Sequence, residues 1–310
     1  MATVLITGGT GMIGKALTNE LLQRQHRVMV LTRKAKPISG GIIYKEWDPE
    51  KGSIDETAIG EADYIIHLAG ANVAEKRWTA KRKQEIVDSR VKSGKLLVQS
   101  IRKIPNKIKA VISASAIGWY GPDPQSSNPA PFVETDPADN AFLGRTCQLW
   151  ENAIKPVQDL GKRLVTFRIG IVLSNEGGAY AEFKKPLKFG VASILGSGKQ
   201  IISWIHISDL VQLFLTALEN ENLSGVYNAV APHPVSNKEL ILAMAKHRNK
   251  FYIPVPVPSP ALKIGLGEMS VEVLKSATVS STKIEKAGYK FAYPHIQDAV
   301  HDLEKENIKH

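Results

Sequence analysis

Short apolar runs alternate along the first two-thirds of the chain with longer stretches in which apolar residues recur every three or four positions. The apolar runs predict β-strands at residues 3–7, 28–31, 63–68, 110–113 and 164–167, with a weaker strand at 42–47. The amphipathic stretches predict helices at residues 15–25, 81–103 and 146–160. Apolar strands separated by helices indicate an α/β fold with a doubly wound parallel sheet covered on both faces. Such sheets bind ligands beyond the carboxyl ends of their strands.

The pattern loosens after residue 173, where glycines interrupt it before an apolar run at 201–207 and a helix at 210–219. We expect the segments from about residue 175 to form a smaller substrate lobe. Alternating prolines further on predict an extended, polyproline-like strut: Pro254, Pro256, Pro258 and Pro260. Helical patterns resume after this strut. A boundary near residue 250 then separates a domain at 1–230 from a C-terminal domain at 250–298.

Composition narrows the class of protein. Of the 310 residues, 43% are hydrophobic and 23% are charged, which suits a packed globular core and argues against wholesale disorder. No apolar run approaches the roughly 18 to 20 residues that span a membrane, and no basic leader precedes the first strand. The single cysteine, Cys147, excludes an intrachain disulfide and suits a reducing compartment. We therefore expect a soluble, cytoplasmic protein that does not bind membranes.

The formal net charge of +10 favours an anionic partner, but charge alone does not choose among nucleic acid, acidic surfaces and phosphorylated small molecules. The basic residues are scattered, with one local cluster at residues 76–83, and no aromatic-interleaved basic motif accompanies them. A nucleic-acid partner is therefore not expected. The eight histidines show no spacing that would place two ligands on one helix face, so no metal site is predicted.

Glycines punctuate the turn between the first predicted strand and helix, where residues 7–14 read TGGTGMIG. Glycines at such positions permit a tight turn, close backbone approach to a pyrophosphate and close packing of helix on strand, while the helix amides face the phosphates. This context predicts a Rossmann-type dinucleotide site. The residues expected to form it are Gly8, Thr10, Gly11, Met12, Ile13 and Gly14.

The tip of the second strand distinguishes the two nicotinamide dinucleotides. An acidic residue there accepts hydrogen bonds from a ribose 2′-hydroxyl, whereas a basic residue pairs with a 2′-phosphate. This chain has Thr32, Arg33 and Lys34 at that position. Because a guanidinium forms charge-assisted, bidentate bonds with phosphate, we predict NADP(H) as the cofactor.

Several motifs together resemble the extended short-chain dehydrogenase/reductases: the turn at 7–14, HLAG at 67–70, SAS at 113–115, YG at 120–121 and WIHISD at 204–209. More narrowly, RW at 77–78, SRV at 89–91, FL at 142–143, WE at 150–151 and the segment at 265–269 resemble the atypical NADP-binding epimerase family proteins. Those proteins carry a C-terminal domain of unknown function. The resemblance implies further cofactor contacts at Leu68, Ala69, Gly70, Glu85, Arg90 and Val172.

The resemblance also exposes a missing catalytic pair. The superfamily uses a serine together with a tyrosine and a lysine four residues later, which exchange the proton that accompanies hydride transfer. Ser115 fits the serine, but the tyrosine and lysine positions hold Leu143 and Cys147. Substitute proton donors are Tyr120 and Cys147, although each is also an ordinary core residue. The chain's Tyr-x-x-x-Lys at 180–184 follows the strand at 164–167, so we expect it to be structural.

Two functions follow for one cofactor site. The first is an NADP(H)-dependent oxidoreductase or epimerase-like enzyme of unknown small-molecule substrate, in which Ser115 orients an oxygen. The second is a catalytically silent NADPH-binding sensor or regulatory protein, favoured by Leu143 and Cys147. A nucleic-acid binder rests on net charge only. By analogy with related proteins, the long helices after the fourth and fifth strands favour a homodimer.

Overall fold

The computed structural model describes residues 1–34, 37–125, 130–247 and 251–305. Its strands are β1 Thr3–Thr7, β2 Arg27–Thr32, β3 Ile42–Asp48, β4 Ser53–Ile54, β5 Tyr64–His67, β6 Ala110–Ala116, β7 Arg163–Ile169, β8 Ile171–Leu173, β9 Val191–Leu195, β10 Ile201–Ile202, β11 Trp204–His206, β12 Gly225–Ala229, β13 Val235–Ser236 and β14 Ile253–Val257. Its helices are α1 Met12–Gln23, α2 Glu56–Glu61, α3 Ala80–Lys103, α4 Phe142–Ile154, α5 Gly178–Leu187, α6 Ile207–Glu219, α7 Asn237–His247, α8 Ser259–Leu266, α9 Ser270–Leu274, α10 Thr282–Lys286 and α11 Ile296–Lys305.

The central sheet has eight strands in the order β12-β7-β6-β5-β1-β2-β3-β4. All neighbours are parallel except β3 and β4, which form an antiparallel edge. From β1 the chain runs outward through β2 and β3 and then returns to the other side of β1 at β5. The strand order therefore reverses between β1 and β5, and a crevice opens there at the carboxyl edge. The predicted doubly wound parallel sheet is confirmed.

Alternate residues of each strand pack against helices on opposite faces, because side chains in a strand point to the two faces in turn. One face packs on α1 and α6 through strand residues that include Val4, Ile6, Val30 and Phe167. The other packs on α3 through strand residues that include Leu5, Met29, Ile65 and Val111. Burial on both faces explains why the strands read as nearly continuous apolar runs.

A smaller lobe lies beyond the carboxyl edge and is built from the pairs β8–β11, β9–β14 and β10–β13 with α5, α7 and α11. Its core joins residues of β8 and α7 with residues of α11: Leu173, Leu240, Met244, Val300 and Leu303. The C-terminal segment thus completes the lobe's core. None of the helices in the described ranges is long and apolar enough to cross a membrane.

Several predicted boundaries differ from the structure. Helix α1 begins at Met12 and α4 at Phe142, earlier than expected, and residues 155–160 form a 3-10 helix rather than more α-helix. The proline-rich segment is extended as far as Pro258, but Pro260 lies in the first turn of α8. The extended part is not a free strut, because β14 pairs in parallel with β9.

Asp209 lies in the first turn of α6 rather than at its N-cap. His206 occupies the N-cap, and the Asp209 carboxylate instead accepts hydrogen bonds from the Tyr289 hydroxyl at 3.1 Å and from the backbone N–H groups of Ala292 at 2.8 Å and Tyr293 at 2.9 Å. Asp209 therefore anchors the C-terminal segment to α6.

Candidate functional site

A row of polar side chains lies at the carboxyl edge of the sheet, on the face that packs on α3 and α4. Residues two apart share a face, so this row continues the apolar positions of the same strands. The strand register places Thr7 beside His67 and Ser113, and two residues further along it places Ser115 beside Arg168 and Asn228. The switch point is therefore lined by polar groups at the strand ends.

The glycine-rich turn folds tightly against the loop that follows β5. Gly8 has φ of +69°, and a Cβ built on it would lie 2.9 Å from the carbonyl carbon of Leu68. A Cβ on Gly14 would lie 2.4 Å from the carbonyl oxygen of Gly8, so the start of α1 packs directly on the turn. Gly11, the N-cap of α1, provides no side-chain cap, which leaves the first-turn N–H groups to face an anion.

Each residue predicted for the glycine-rich turn and for the tip of β2 has a defined place. Thr10 and Gly11 are exposed at the turn, Met12 and Ile13 are partly buried in the first turn of α1, and Gly8 and Gly14 form the packed base. Thr32 ends β2, and Arg33 and Lys34 follow it as exposed side chains. These two bases lie beside the turn, since β2 is the neighbour of β1. The arrangement suits a phosphorylated adenosine at this end of the crevice.

Thr7 ties the turn to β5. Its Oγ1 accepts hydrogen bonds from the backbone N–H groups of Leu68 and Ala69, each at 3.1 Å, and lies 2.8 Å from Nδ1 of His67. Because Oγ1 already accepts two N–H groups, we assign its proton to the bond with Nδ1, which leaves His67 neutral with a proton on Nε2. Burial, reinforced by the nearby Arg90 guanidinium, lowers the pKa of His67 to about 3.

Arg90 and Glu85, both on α3, have different surroundings. A Cβ on Gly70 would lie 2.9 Å from Cζ of Arg90, whose Nη1 donates to the carbonyl of Ala71 at 3.0 Å. Burial lowers the pKa of the Arg90 guanidinium to about 10, below its usual range. Glu85 is 57% exposed and pairs with Arg82 at 2.8 Å. Only Arg90 therefore lies against the loop after β5, where it supports the backbone of residues 70–71.

A buried polar network connects the ends of β6, β7 and β12 to α4. The Ser115 hydroxyl donates to Oε1 of Glu151 at 2.6 Å, and Arg168 donates to both carboxylate oxygens of Glu151, at 2.9 and 3.1 Å. The Tyr120 hydroxyl donates to Oδ1 of Asn228 at 2.7 Å and accepts from Arg168 at 3.1 Å. Arg168 is only 3% exposed, so Glu151 compensates a charge that is almost fully removed from water.

The candidate proton donors are strongly held in their neutral forms. Burial raises the pKa of Tyr120 to about 12, and its hydroxyl proton is engaged by Asn228. Burial likewise raises the pKa of the Cys147 thiol to about 12. A thiol with so little thiolate at neutral pH is a weak nucleophile, and it resembles a buried core cysteine.

The structure brings Leu143 and Cys147 to the end of β6. A Cβ on Gly118, in the 3-10 helix that follows β6, would lie 3.2 Å from Cβ of Leu143 and 3.7 Å from Sγ of Cys147. Nearby, Trp78 and Phe142 form an edge-to-face pair with ring centroids 4.9 Å apart. An apolar wall therefore stands where the family resemblance places a tyrosine and a lysine.

Tyr180 and Lys184 lie away from this wall, in the lobe. Both side chains approach Glu304 of α11, at 2.9 and 3.3 Å. Val172, predicted as a cofactor contact, lies on β8, and its carbonyl oxygen would be 3.6 Å from a Cβ on Gly178 at the start of α5. Among the described residues no three His, Cys, Asp or Glu side chains group as metal ligands would.

Sequence reasoning did not single out Glu151 as a partner of Ser115, and it gave no role to His67 or Asn228. One local signal was present. His67, Arg168 and Asn228 are polar residues within or at the end of largely apolar runs, where a buried polar side chain needs a partner.

Comparisons with known proteins agree with this geometry. Residues 4–146 match the NAD dependent epimerase/dehydratase family, and residues 257–303 match a domain of unknown function, DUF1731. An epimerase family protein of Staphylococcus aureus is 37% identical over 308 residues, covering 99% of this chain and 100% of that protein. An epimerase family protein of Staphylococcus saprophyticus is also 37% identical, with 98% and 99% covered.

Solved structures give the same picture. The human epimerase family protein SDR39U1, solved with NADPH, is 30% identical with a TM-score of 0.87, and the match covers 98% of this chain and 99% of that one. UDP-N-acetylglucosamine 4-epimerase from Bacillus cereus, at 18% identity, 99% coverage of both chains and a TM-score of 0.77, shares the fold. The chain therefore belongs to the epimerase family within the short-chain dehydrogenase/reductases, and it carries that family's C-terminal domain of unknown function.

Proposed function

We propose that the chain is an NADP(H)-binding oxidoreductase or epimerase-like protein that acts on a small molecule without the usual Tyr-x-x-x-Lys pair. The observation that carries this proposal is the glycine-rich turn, which is folded against Leu68 and has the uncapped start of α1 on one side and the exposed Arg33 and Lys34 on the other. The human relative solved with NADPH supports the same cofactor.

In this proposal each part of the site has a separate task. The backbone N–H groups at 10–13 hold the pyrophosphate, and Arg33 with Lys34 binds the adenosine 2′-phosphate. The loop at 68–70, supported by Arg90, lines the ribose on the nicotinamide side of the crevice. When bound, the nicotinamide supplies or accepts a hydride.

Ser115 constrains the substrate oxygen. Its hydroxyl proton is already donated to Glu151, so in this state Oγ offers only its lone pairs to a ligand. Such an oxygen accepts a hydrogen bond from an alcohol but donates none to a ketone. The arrangement favours binding of the hydroxyl form of a substrate.

The cofactor assignment is tested with Arg33→Asp. We expect this change to weaken NADPH binding by at least about ten-fold and to leave NADH binding nearly unchanged, because it replaces a partner of the 2′-phosphate with a like charge. Titration calorimetry on cofactor-free protein measures both affinities. Lys103→Asp is the matched control. Lys103 is an exposed base at the end of α3, which lies at the amino ends of the strands, away from the cofactor crevice. An unchanged ratio of NADPH to NADH affinity in Arg33→Asp would contradict the assignment.

The alternative of a catalytically silent NADPH-binding sensor is favoured by the engagement of the Ser115 and Tyr120 hydroxyls and by the raised pKa of Cys147. Consumption of NADPH with a panel of ketones and aldehydes, and formation of NADPH from NADP⁺ with the corresponding alcohols, together separate the two functions. Turnover that survives Cys147→Ser but is lost in Ser115→Ala, with NADPH affinity kept in both, supports the enzyme. Saturable NADPH binding without turnover in either direction supports the sensor.

A further inference from the structure

The segment that joins β8 to α5, residues 174–178, lies against the glycine-rich turn. A Cβ built on Gly178 would lie 3.6 Å from Cε of Met12, and one built on Gly177 would lie 3.8 Å from its Sδ. We call residues 174–178 the cradle loop. Since Met12 opens α1 at the predicted pyrophosphate site, the cradle loop forms an outer wall of that site.

Backbone geometry at the cradle loop permits this close approach. Gly178 has φ of +71°, a conformation that residues with a Cβ rarely adopt. Glycine adopts this conformation without strain, but it loses more conformational freedom on ordering than other residues, so contacts from the surrounding structure must fix the loop in one position.

Helix α11 supplies those contacts. Nδ2 of Asn175, in the cradle loop, donates to the carbonyl of Leu303 at 2.6 Å. Lys184 of α5 donates to Oδ1 of Asn175 at 2.8 Å and lies 3.3 Å from Oε1 of Glu304. The same Glu304 oxygen accepts the Tyr180 hydroxyl at 2.9 Å. Five residues of the loop, α5 and α11 thus form one connected network.

This network is largely removed from water. The side chains of Lys184 and Glu304 are 11% and 10% exposed, so loss of either charge leaves the other poorly compensated. The position of α11 is fixed independently, because Val300 and Leu303 are buried in the lobe core and Asp209 anchors the segment before the helix. The helix can therefore hold the loop rather than follow it.

We propose that α11 positions the cofactor site: Glu304 and Asn175 hold the cradle loop against Met12, and docking of the C-terminal domain thereby sets the affinity for the nicotinamide half of NADPH. This inference rests on the proposed function. The cradle loop follows β8, on the β7 side of β1, whereas Arg33 lies on the β2 side. Its effect falls on the pyrophosphate and nicotinamide, and the adenosine 2′-phosphate keeps its own partners.

The experiment compares two ligands on the full chain by titration calorimetry. Glu304→Gln and Asn175→Ala are expected to weaken NADPH binding by about five-fold or more, the lower end of ordinary coupling between sites. Binding of 2′,5′-ADP, which lacks the nicotinamide half, is expected to change by less than about two-fold. His301→Asn is the control, because it changes an exposed side chain of the same helix that lies beside the ring of His247 in α7 rather than at the cradle loop.

Thermal unfolding of each variant shows whether it is folded. If Glu304→Gln does not fold, Asn175→Ala still provides the test, because it keeps the ion pair between Lys184 and Glu304. Wild-type protein that binds NADPH while both folded variants bind it equally well would overturn the inference. Equal losses for NADPH and 2′,5′-ADP, or the same selective loss in His301→Asn, would also overturn it. Wild-type protein that takes up no NADPH would instead refute the proposed function and remove the basis of this inference.

Discussion

Thr7 shows at the scale of one residue how the site is assembled. A single hydroxyl joins the glycine-rich turn, the loop after β5 and the ring of His67. A hydroxyl has one proton and two lone pairs, so these three hydrogen bonds use its full capacity. Thr7, which precedes the glycine-rich turn, is therefore fixed in orientation before any cofactor binds.

His67 makes the stability of the protein depend on pH. Its pKa is about 3 in the folded chain against 6.5 ordinarily, so the unfolded chain takes up the proton first. The His67 contribution is therefore full above pH 6.5 and is lost as the pH falls toward 3, by up to about 1.4 kcal/mol per pH unit. His67→Asn is expected to remove this part of the slope in urea unfolding measured between about pH 7 and pH 5. His301→Asn, at an exposed histidine, should retain the wild-type slope. Equal slopes in all three proteins would refute this account.

At the scale of elements, β14 shows how a proline-rich segment joins a sheet. The N–H of Ile253 donates to Gly190, and the carbonyl of Val257 accepts from Gly196, both on the β9 side. Backbone groups alternate in direction along a strand, so the prolines at 254 and 256 face away from β9. They lose no hydrogen bond there, and they also block further strand pairing at this edge.

Val255→Pro should destabilise the lobe, whereas Pro256→Val should not. In the first change a proline replaces a residue whose N–H faces β9 and leaves a carbonyl of the buried Ala192 without its donor, at a cost of about 2 kcal/mol or more. The second alters a position that faces away, and we expect a change within about 1 kcal/mol. The free energy of unfolding in urea measures both. A Val255→Pro variant as stable as Pro256→Val would show that the pairing contributes little.

At the scale of the whole molecule, the C-terminal segment belongs structurally to the lobe that faces the cofactor crevice. Asp209 holds residues 292–293, and α11 enters a core with α5 and α7. Helix α11 thereby contacts the cradle loop, which lies beside Met12 of α1. This arrangement is the basis of the role proposed above for the C-terminal domain of unknown function.

The sequence by itself determined the sheet, the glycine-rich turn and the basic tip of β2, because apolar periodicity and turn chemistry act between residues close along the chain. Only the tertiary structure decided which polar groups meet. Ser115 and Arg168 share Glu151, and Glu304 reaches Tyr180 across 124 positions. No local pattern encodes such pairs, because a buried side chain takes whichever partner the crossing of distant segments brings within hydrogen-bonding distance. The same crossing decided that Tyr120 and Cys147 are buried and neutral, one of the two alternatives that the sequence had left open.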